Sequence, residues 1–241
     1  MKLQKLYSVT RKAIDGYNMI EEGDKIAIGI SGGKDSLTLL YALSGLKHFY
    51  PKSFELVAIT VDLGYEDFHL EEIQTLCKEL KVPYFVLKTE ISKIVFDTHN
   101  SKNSCSLCAK LRKGALNEEA KRLGCNKIAY AHHADDLLET MMLSLIFEGR
   151  FHSFAPKTEL DRTGLTVIRP MMYLMEADVI GFMHKQELPV VTNPCPLDGI
   201  TKREYVKNLI RQINLEHPGA KKRMLTAIIN GNLDDWPKRL H

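Results

Sequence analysis

Residues 29–36 read GISGGKDS. Two adjacent glycines, Gly32 and Gly33, let backbone N–H groups approach an anion with no Cβ in the way. A helix starting near Asp35 would aim its N-terminal donors and dipole at the same anion. Lys34 adds a cation, and Ser31 and Ser36 add hydroxyls. The stretch therefore has the chemistry of a phosphate cradle. It is not a Walker A loop, which needs glycine at position 28, where Ile28 stands, and Ser or Thr after the lysine, where Asp35 stands. It does not fit GxGxxG either.

The second group of reactive residues is sulfur. Cys105 and Cys108 form a CxxC pair, followed at once by Lys110, Arg112 and Lys113, and Cys195 sits in NPCP between two prolines. Cys77 and Cys125 have apolar neighbours and read as buried structural thiols. Three uses of the first three cysteines compete. A redox CxxC explains neither Cys195 nor the phosphate loop. A persulfide on one cysteine would make the site a sulfur carrier. Three thiolates could also hold three corners of an iron–sulfur cluster, leaving the fourth iron open to substrate. A CxxC alone is a poor zinc site, since tetrahedral zinc wants four ligands. The adjacent cations would favour thiolates and could touch nucleic-acid phosphate.

HHADD (132–136) is the third group. Asp135 or Asp136 suits the start of a helix, and Asp136 could reach ATP through Mg²⁺, which takes carboxylate and phosphate oxygens. His132 and His133 are neighbours whose ring nitrogens diverge, so a His–His metal pair is not favoured.

These residues need elements to position them. KIAIGI (25–30), FELVAITVDLG (54–64), VPYFVLKTE, NKIAYAHH (126–133) and LTVIRPM (165–171) are apolar runs that predict five strands. Helical patterns fall between them, at about 35–50, in DFHLEEIQTLCKEL, from the CxxC pair to about Leu123, and in ADDLLETMMLSLIFEG. Strands that are apolar along their whole length, alternating with helices, predict an α/β fold. Its sheet is doubly wound, mostly parallel and five-stranded, with helices on both faces. Ligands in such sheets bind at the carboxyl ends of the strands. The loops SGGKDS, TVDLGY and AHHADD should then meet at one crevice. The expected organisation is an N-terminal helix at 1–20, a catalytic domain at 21–200 and a basic segment at 201–241 with two helices split at His217–Pro218–Gly219.

The chain has 241 residues, 44% hydrophobic and 26% charged, the make-up of an ordinary globular protein with a full core. No run approaches the roughly 20 apolar residues of a membrane helix, and the first twenty residues lack an apolar signal core, so a cytoplasmic setting is expected. Structural disulfides are not expected there, and five cysteines make an odd set. The net charge of +3 is unevenly spread. Lys and Arg outnumber acids four to one in 1–20, seven to two in 101–127 and nine to four in 201–241. Such segregation fits a polyanionic partner, nucleic acid first.

SGGKDS after a strand resembles the loop of the PP-loop ATP pyrophosphatases, which are adenine nucleotide alpha-hydrolase-like. The resemblance implies cleavage of ATP to AMP and pyrophosphate, with the adenylyl group placed on a substrate oxygen. SGGKDS, CSLCAKLRKG, LGCNKIAYAHHADDLLETMMLSLIFEGR and NPCP together resemble, in order and spacing, the iron–sulfur-dependent tRNA 2-thiolation enzymes (the TtcA/TtuA family). The likeness runs from about residue 20 to 215 and is nearer the 2-thiocytidine branch. The paired zinc modules usual in the 2-thiouridine branch lack their ligands here.

This resemblance implies an ATP-dependent sulfurtransferase that adenylates the C2 oxygen of a tRNA pyrimidine, most simply cytidine, and replaces it with sulfur. It implies ATP contacts from Gly29, Ser31, Gly32, Gly33, Lys34, Asp35, Ser36, the backbone near Val61, Ala131 and Asp136, with Asp35 also in a catalytic role. Ala131 stands where the family often has glycine, which a backbone contact tolerates. Cys105, Cys108 and Cys195 would be ligands of a [4Fe-4S] cluster. Lys110, Arg112 and Lys113 would meet RNA or nucleotide phosphate. The implied partners are tRNA, a cysteine desulfurase or free sulfide as sulfur source, and a second copy of the chain in a homodimer. Two other readings keep the loop but change its use: a non-thiolating tRNA modification enzyme of lysidine synthetase type, and a cluster-bearing sulfur carrier or redox sensor.

Overall fold

The computed structural model describes residues 1–65, 69–97, 104–191, 195 and 202–231. The prolines expected to fix Cys195 lie outside them. The described residues fall into two compact units: Met1–His133 with Ala155–Asp198, and Ala134–Phe154 with Gly199–His241.

The first unit is built on a sheet whose strands are β1 (Asp24–Gly29), β2 (Phe54–Asp62), β3 (Tyr84–Lys88), β4 (Lys127–Ala129), β5 (Lys157–Leu160) and β6 (Leu165–Ile168). Their order across the sheet is β3-β2-β1-β4-β6-β5. The first four neighbouring pairs are parallel, with Ile28 opposite Ala58 on one side and Ala129 on the other. The last is an antiparallel hairpin, Lys157 opposite Ile168 and Leu160 opposite Leu165. The sheet thus has six strands rather than the five expected. KTEL is short, charged and half-exposed, as an edge strand must be to resist pairing with another chain, and so carries no apolar signal.

The strand order reverses at β1. The chain steps outward from β1 to β2 and β3, then returns to lay β4 against the other side of β1. Right-handed crossovers in opposite directions place helices on opposite faces. One face is covered by α5 (Ser104–Arg122) and α4 (Ile91–Asp97), where Leu116, Ala120, Ile91 and Val95 bury against Ala27, Val57, Ile59, Val61 and Ile128. Strand alternation turns Ile26, Ile28, Leu56 and Ala58 the other way. Helices α2 (Lys34–Leu46), α3 (Glu71–Glu79) and α7 (Glu176–Gln186) complete the unit together with α1 (Leu3–Gly16), which packs on α2 rather than standing apart. The buried stripe of α1 is Leu6, Thr10, Ala13 and Ile14, a helical spacing. Neither α4 nor α7 was expected from the sequence.

The second unit contains α6 (Ala134–Leu143), a π-helical turn at Ser144–Glu148, α8 (Lys202–Glu216) and α9 (Ala220–Asn230). The expected long helix after β4 therefore widens at Ser144, and Gly149 closes it in a left-handed conformation (φ 65°). Leu138 packs with Val206 and Ile210, flanked by Met142, Leu143, Met224, Leu225 and Ile228. Residues 134–154, expected inside the catalytic domain, thus belong with the C-terminal helices. Arg203 Nη1 lies 2.9 Å from Glu139 Oε2 and 3.5 Å from Asp136 Oδ1. Lys221 donates to Asp135. No helix among the described residues is long and apolar enough to cross a membrane.

Candidate active site

The reversal of strand order at β1 opens a crevice between the carboxyl ends of β1 and β4. The loop 30–33 leaves β1 there and enters α2. Gly29 passes close under α5: a Cβ would sit 2.9 Å from Leu116 Cδ2, so that side chain would have to shift. Gly32 is required by conformation, at φ +82°, and its carbonyl accepts from Val191 N at 3.0 Å. Two serines set the loop. Ser36 Oγ donates to Gly33 O (2.9 Å) and accepts from Ser31 N (3.2 Å) and Ser31 Oγ (3.3 Å), while Ser31 Oγ accepts from Gly33 N (3.3 Å). Each hydroxyl proton has one acceptor, so the loop is held before any ligand arrives. The first-turn N–H groups of α2 have no partner within the helix and form the floor of an anion site.

Lys34 Nζ is 3.0 Å from Asp35 Oδ2 and 3.2 Å from Glu176 Oε1 of α7. Burial works against its charge, but the two carboxylates win and hold the ammonium above its ordinary pKa. The other Asp35 oxygen, Oδ1, is buried, accepts no hydrogen bond and lies 3.6 Å from His133 Nε2. A buried carboxylate oxygen without a donor fits a site that takes a cation with its phosphate. Val61 is the last but one residue of β2, with its side chain in the core, and its neighbour Thr60 donates to Ile30 O at the base of the loop (2.9 Å).

The residues leaving β4 face Arg169, which is 7% exposed at the end of β6. Arg169 Nε donates to His132 Nδ1 (3.2 Å), and Nη1 donates to Ala155 O (2.6 Å) and Thr158 Oγ1 (3.2 Å). An imidazole nitrogen that accepts carries no proton, so His132 keeps its proton on Nε2. Burial lowers the Arg169 pKa to about 10, with Tyr130 opposing. The Tyr130 hydroxyl is buried with no hydrogen bond, and burial pushes it up to about 12 against the pull of Arg169 and Arg112. Ala131 lies half-buried between Tyr130 and His132. Asp136, expected near the nucleotide, stands in the first turn of α6 in the second unit beside Arg203.

Cys105 and Cys108 lie one turn apart at the start of α5, Cys105 exposed and Cys108 half-buried among core residues that include Leu107 and Leu111. The Cys108 thiol is pushed up first by burial; Arg112 opposes, and both Cys195 and Cys105 add to the rise. Cys195, distant in sequence, is thus an electrostatic neighbour of Cys108. Tyr65 joins them: burial, a hydrogen bond with Cys195 and the charges of Cys195 and Cys108 push its hydroxyl up to about 12, with Arg112 opposing. Among the described residues no three His, Cys, Asp or Glu side chains converge as ligands of one metal ion. A cubane cluster does not ask for that, because each thiolate binds a different iron. A Cys108 thiol that feels the charges of both Cys105 and Cys195, with Arg112 opposing, fits such a cluster. Lys110, Arg112 and Lys113 are exposed on α5, and of these Arg112 acts on the thiols. Cys77 and Cys125 are buried and free, and burial pushes Cys77 up to about 11.

Sequence reasoning missed Tyr65, Arg169 and Glu176. Arg169 alone had a local signal, a charged residue at the end of a buried strand.

A sequence profile of the PP-loop domain matches residues 3–216. The tRNA-cytidine(32) 2-sulfurtransferase of Geobacter sulfurreducens is 36% identical over 95% of this chain and 91% of its own. That of Geobacter metallireducens is 37% identical over 95% and 90%. The chain belongs to the tRNA-cytidine 2-sulfurtransferase family of PP-loop proteins. Among solved structures, the U34-tRNA thiolase NcsA of Methanococcus maripaludis, determined with its [4Fe-4S] cluster, superposes with a TM-score of 0.75 at 24% identity. The match covers 94% of this chain and 77% of that one and bears out the α/β PP-loop fold. The family resemblance carried by the four sequence motifs is borne out as well.

Proposed function

We propose that this protein is an ATP-dependent tRNA sulfurtransferase that converts a cytidine to 2-thiocytidine. One observation carries the reading. A preset phosphate loop (Ser31–Ser36) and the cysteines Cys105, Cys108 and Cys195, of which Cys108 feels the charges of the other two, occur in one structural unit. ATP cleavage activates an oxygen, and thiols in the same unit would answer for the incoming atom. Membership of the 2-sulfurtransferase family supplies the base.

The loop N–H groups, Ser31, Ser36 and Lys34 would bind the ATP phosphates, with Asp35 Oδ1 available to phosphate-bound Mg²⁺. The cytidine C2 oxygen attacks the α-phosphorus and pyrophosphate leaves. Sulfide then adds at C2, the C2–O bond breaks and the oxygen departs with AMP, so no oxidant or reductant is consumed. A [4Fe-4S] cluster on Cys105, Cys108 and Cys195 would supply an iron free of protein ligands for sulfur delivery. Arg112 would offset negative charge there. Free sulfide enters this balance directly, whereas a cysteine desulfurase would deliver persulfide sulfur, which takes two electrons from a thiol reductant to reach the sulfide level. A cytoplasmic homodimer is the setting proposed, since the substrate is tRNA and two-fold dimers are the commonest assemblies.

Nucleosides from the tRNA of a deletion strain test this by mass spectrometry. Loss of 2-thiocytidine, restored by the wild-type gene and not by Cys108→Ser, is expected. An unchanged 2-thiocytidine content would sink the proposal.

A further inference from the structure

The second unit carries an aromatic surface that the proposed chemistry does not use. The π-helical turn after α6 leaves Phe147 43% exposed, and Tyr205 of α8 is 58% exposed. The two rings meet edge to face, with centroids 6.4 Å apart and planes at 68°. Lys202 Nζ stands 4.6 Å over the Phe147 ring. Just past the turn, Phe151 is 65% exposed.

The core of the unit does not need these side chains. It takes Val206 and Ile210 from α8 and Leu138 from α6. Single exposed apolar residues are ordinary. Two aromatic rings in contact with each other and with an ammonium at an exposed helix end are a built surface. The C-terminal helices are basic: α8 carries four Lys or Arg against two Glu, and α9 three against none, and of these cations Arg203 and Lys221 pair with the α6 carboxylates Asp136, Glu139 and Asp135. A basic surface with a hydrophobic protein partner in mind would not need cations against the rings. Aromatic faces beside cations suit unpaired nucleobases, which stack on rings while phosphates meet the ammonium and guanidinium groups.

We propose that Phe147, Tyr205 and Lys202 form a stacking platform for unpaired bases in a loop of the RNA substrate. The inference rests on the RNA substrate of the proposed function and extends it to a surface in the second unit. Tyr205 is the more exposed ring and takes the base, Phe147 braces it edge-on, and Lys202 pairs with the flanking phosphate.

Fluorescence anisotropy on the full chain tests it, with a labelled RNA stem–loop and a blunt RNA duplex of equal length as probes. Tyr205→Ala is expected to weaken stem–loop binding about 5- to 150-fold, the range of one lost base–aromatic stack, and to leave duplex binding unchanged. Tyr205→Phe keeps the ring and the affinity. Lys202→Ala is expected to lower the slope of log affinity against log salt by about 0.7 to 1, whereas Tyr205→Ala leaves the slope alone. ATP binding, a property of the loop in the first unit, stays at wild-type strength in all three variants. Wild-type stem–loop affinity in Tyr205→Ala and Phe147→Ala overturns the proposal. Equal losses on loop and duplex overturn it too, as does a change in self-association with no change in RNA binding. If thiolation proceeds while these variants bind normally, the platform is wrong and the function stands. If no thiolation is found, stem–loop binding still decides the platform.

Discussion

Asp35 Oδ1 lies 3.6 Å from His133 Nε2, across the crevice between the ends of β1 and β4. His133 is 4% exposed, and the carboxylate oxygen it faces accepts no hydrogen bond. The other Asp35 oxygen holds Lys34, which Glu176 holds from α7. The loop thus comes with its cation and carboxylate placed by three different elements. In Lys34→Met, we expect ATP cleavage to fall by about 100- to 1,000-fold, the usual cost of one lost donor to developing charge. Tm should change little. Pyrophosphate release measured with tRNA present checks this, and wild-type release would remove Lys34 from the reaction.

Gly32 sits at φ +82°, and a Cβ there would come within 3.1 Å of Val191 Cβ. Gly32→Ala therefore adds left-handed strain of about 1–2 kcal/mol, besides crowding the β-branched Val191. The expected outcome is a lower Tm together with weaker ATP binding, because the strained loop relaxes away from the phosphates. Calorimetry with and without ATP reads both. A variant with wild-type Tm and affinity contradicts the geometry.

Arg112 opposes the burial that pushes the Cys108 thiol up. Arg112→Gln should raise that thiol further and shrink its thiolate fraction at neutral pH. Peptide-resolved alkylation of iron-free protein at about pH 8 should slow at Cys108 by a factor of about 2–10. The gap should close as pH rises past the Cys108 pKa. Equal or faster alkylation of the variant would mean that Arg112 does not act on this sulfur.

Glu139 is buried, and burial raises its carboxyl pKa even though Arg203 bonds to it and pulls the other way. A folded pKa above the unfolded one means the protonated form is favoured on folding. The stability it contributes is present below the unfolded value, near pH 4, and is lost as pH rises through the folded value. Glu139→Gln should therefore gain on the wild type in urea midpoints as pH rises from about 4, the unfolded value, through the raised folded value. A constant difference across that range contradicts the assignment.

The parallel core was legible because β1, β2 and β4 are buried on both faces and so read as unbroken apolar runs. KTEL at β5 was not legible, since an edge strand is kept polar. The loop 29–36 was legible because its function is local: glycines, hydroxyls and a helix start lie within eight residues. Cys105, Cys108 and Cys195 were grouped from their chemistry; Cys195 lies past β6 and α7, and no local pattern encodes that its charge reaches Cys108. Tyr65, Arg169 and Glu176 act through partners more than thirty residues away, at Cys195, His132 and Lys34. The grouping of residues 134–154 with the C-terminal helices has a related cause. Leu138 and Met142 look like ordinary core residues, and their partners Val206, Ile210 and Met224 come much later in the chain.

The most direct test of the sulfurtransferase reading is reconstitution. Purified protein with its cluster rebuilt anaerobically is incubated with ATP, Mg²⁺, sulfide and unmodified tRNA transcript, and the nucleosides are read by mass spectrometry. The expected result is 2-thiocytidine formed one for one with AMP, absent without ATP and absent in Cys195→Ser. No thiolated nucleoside, thiolation that does not need ATP, or thiolation of uridine instead would contradict the account.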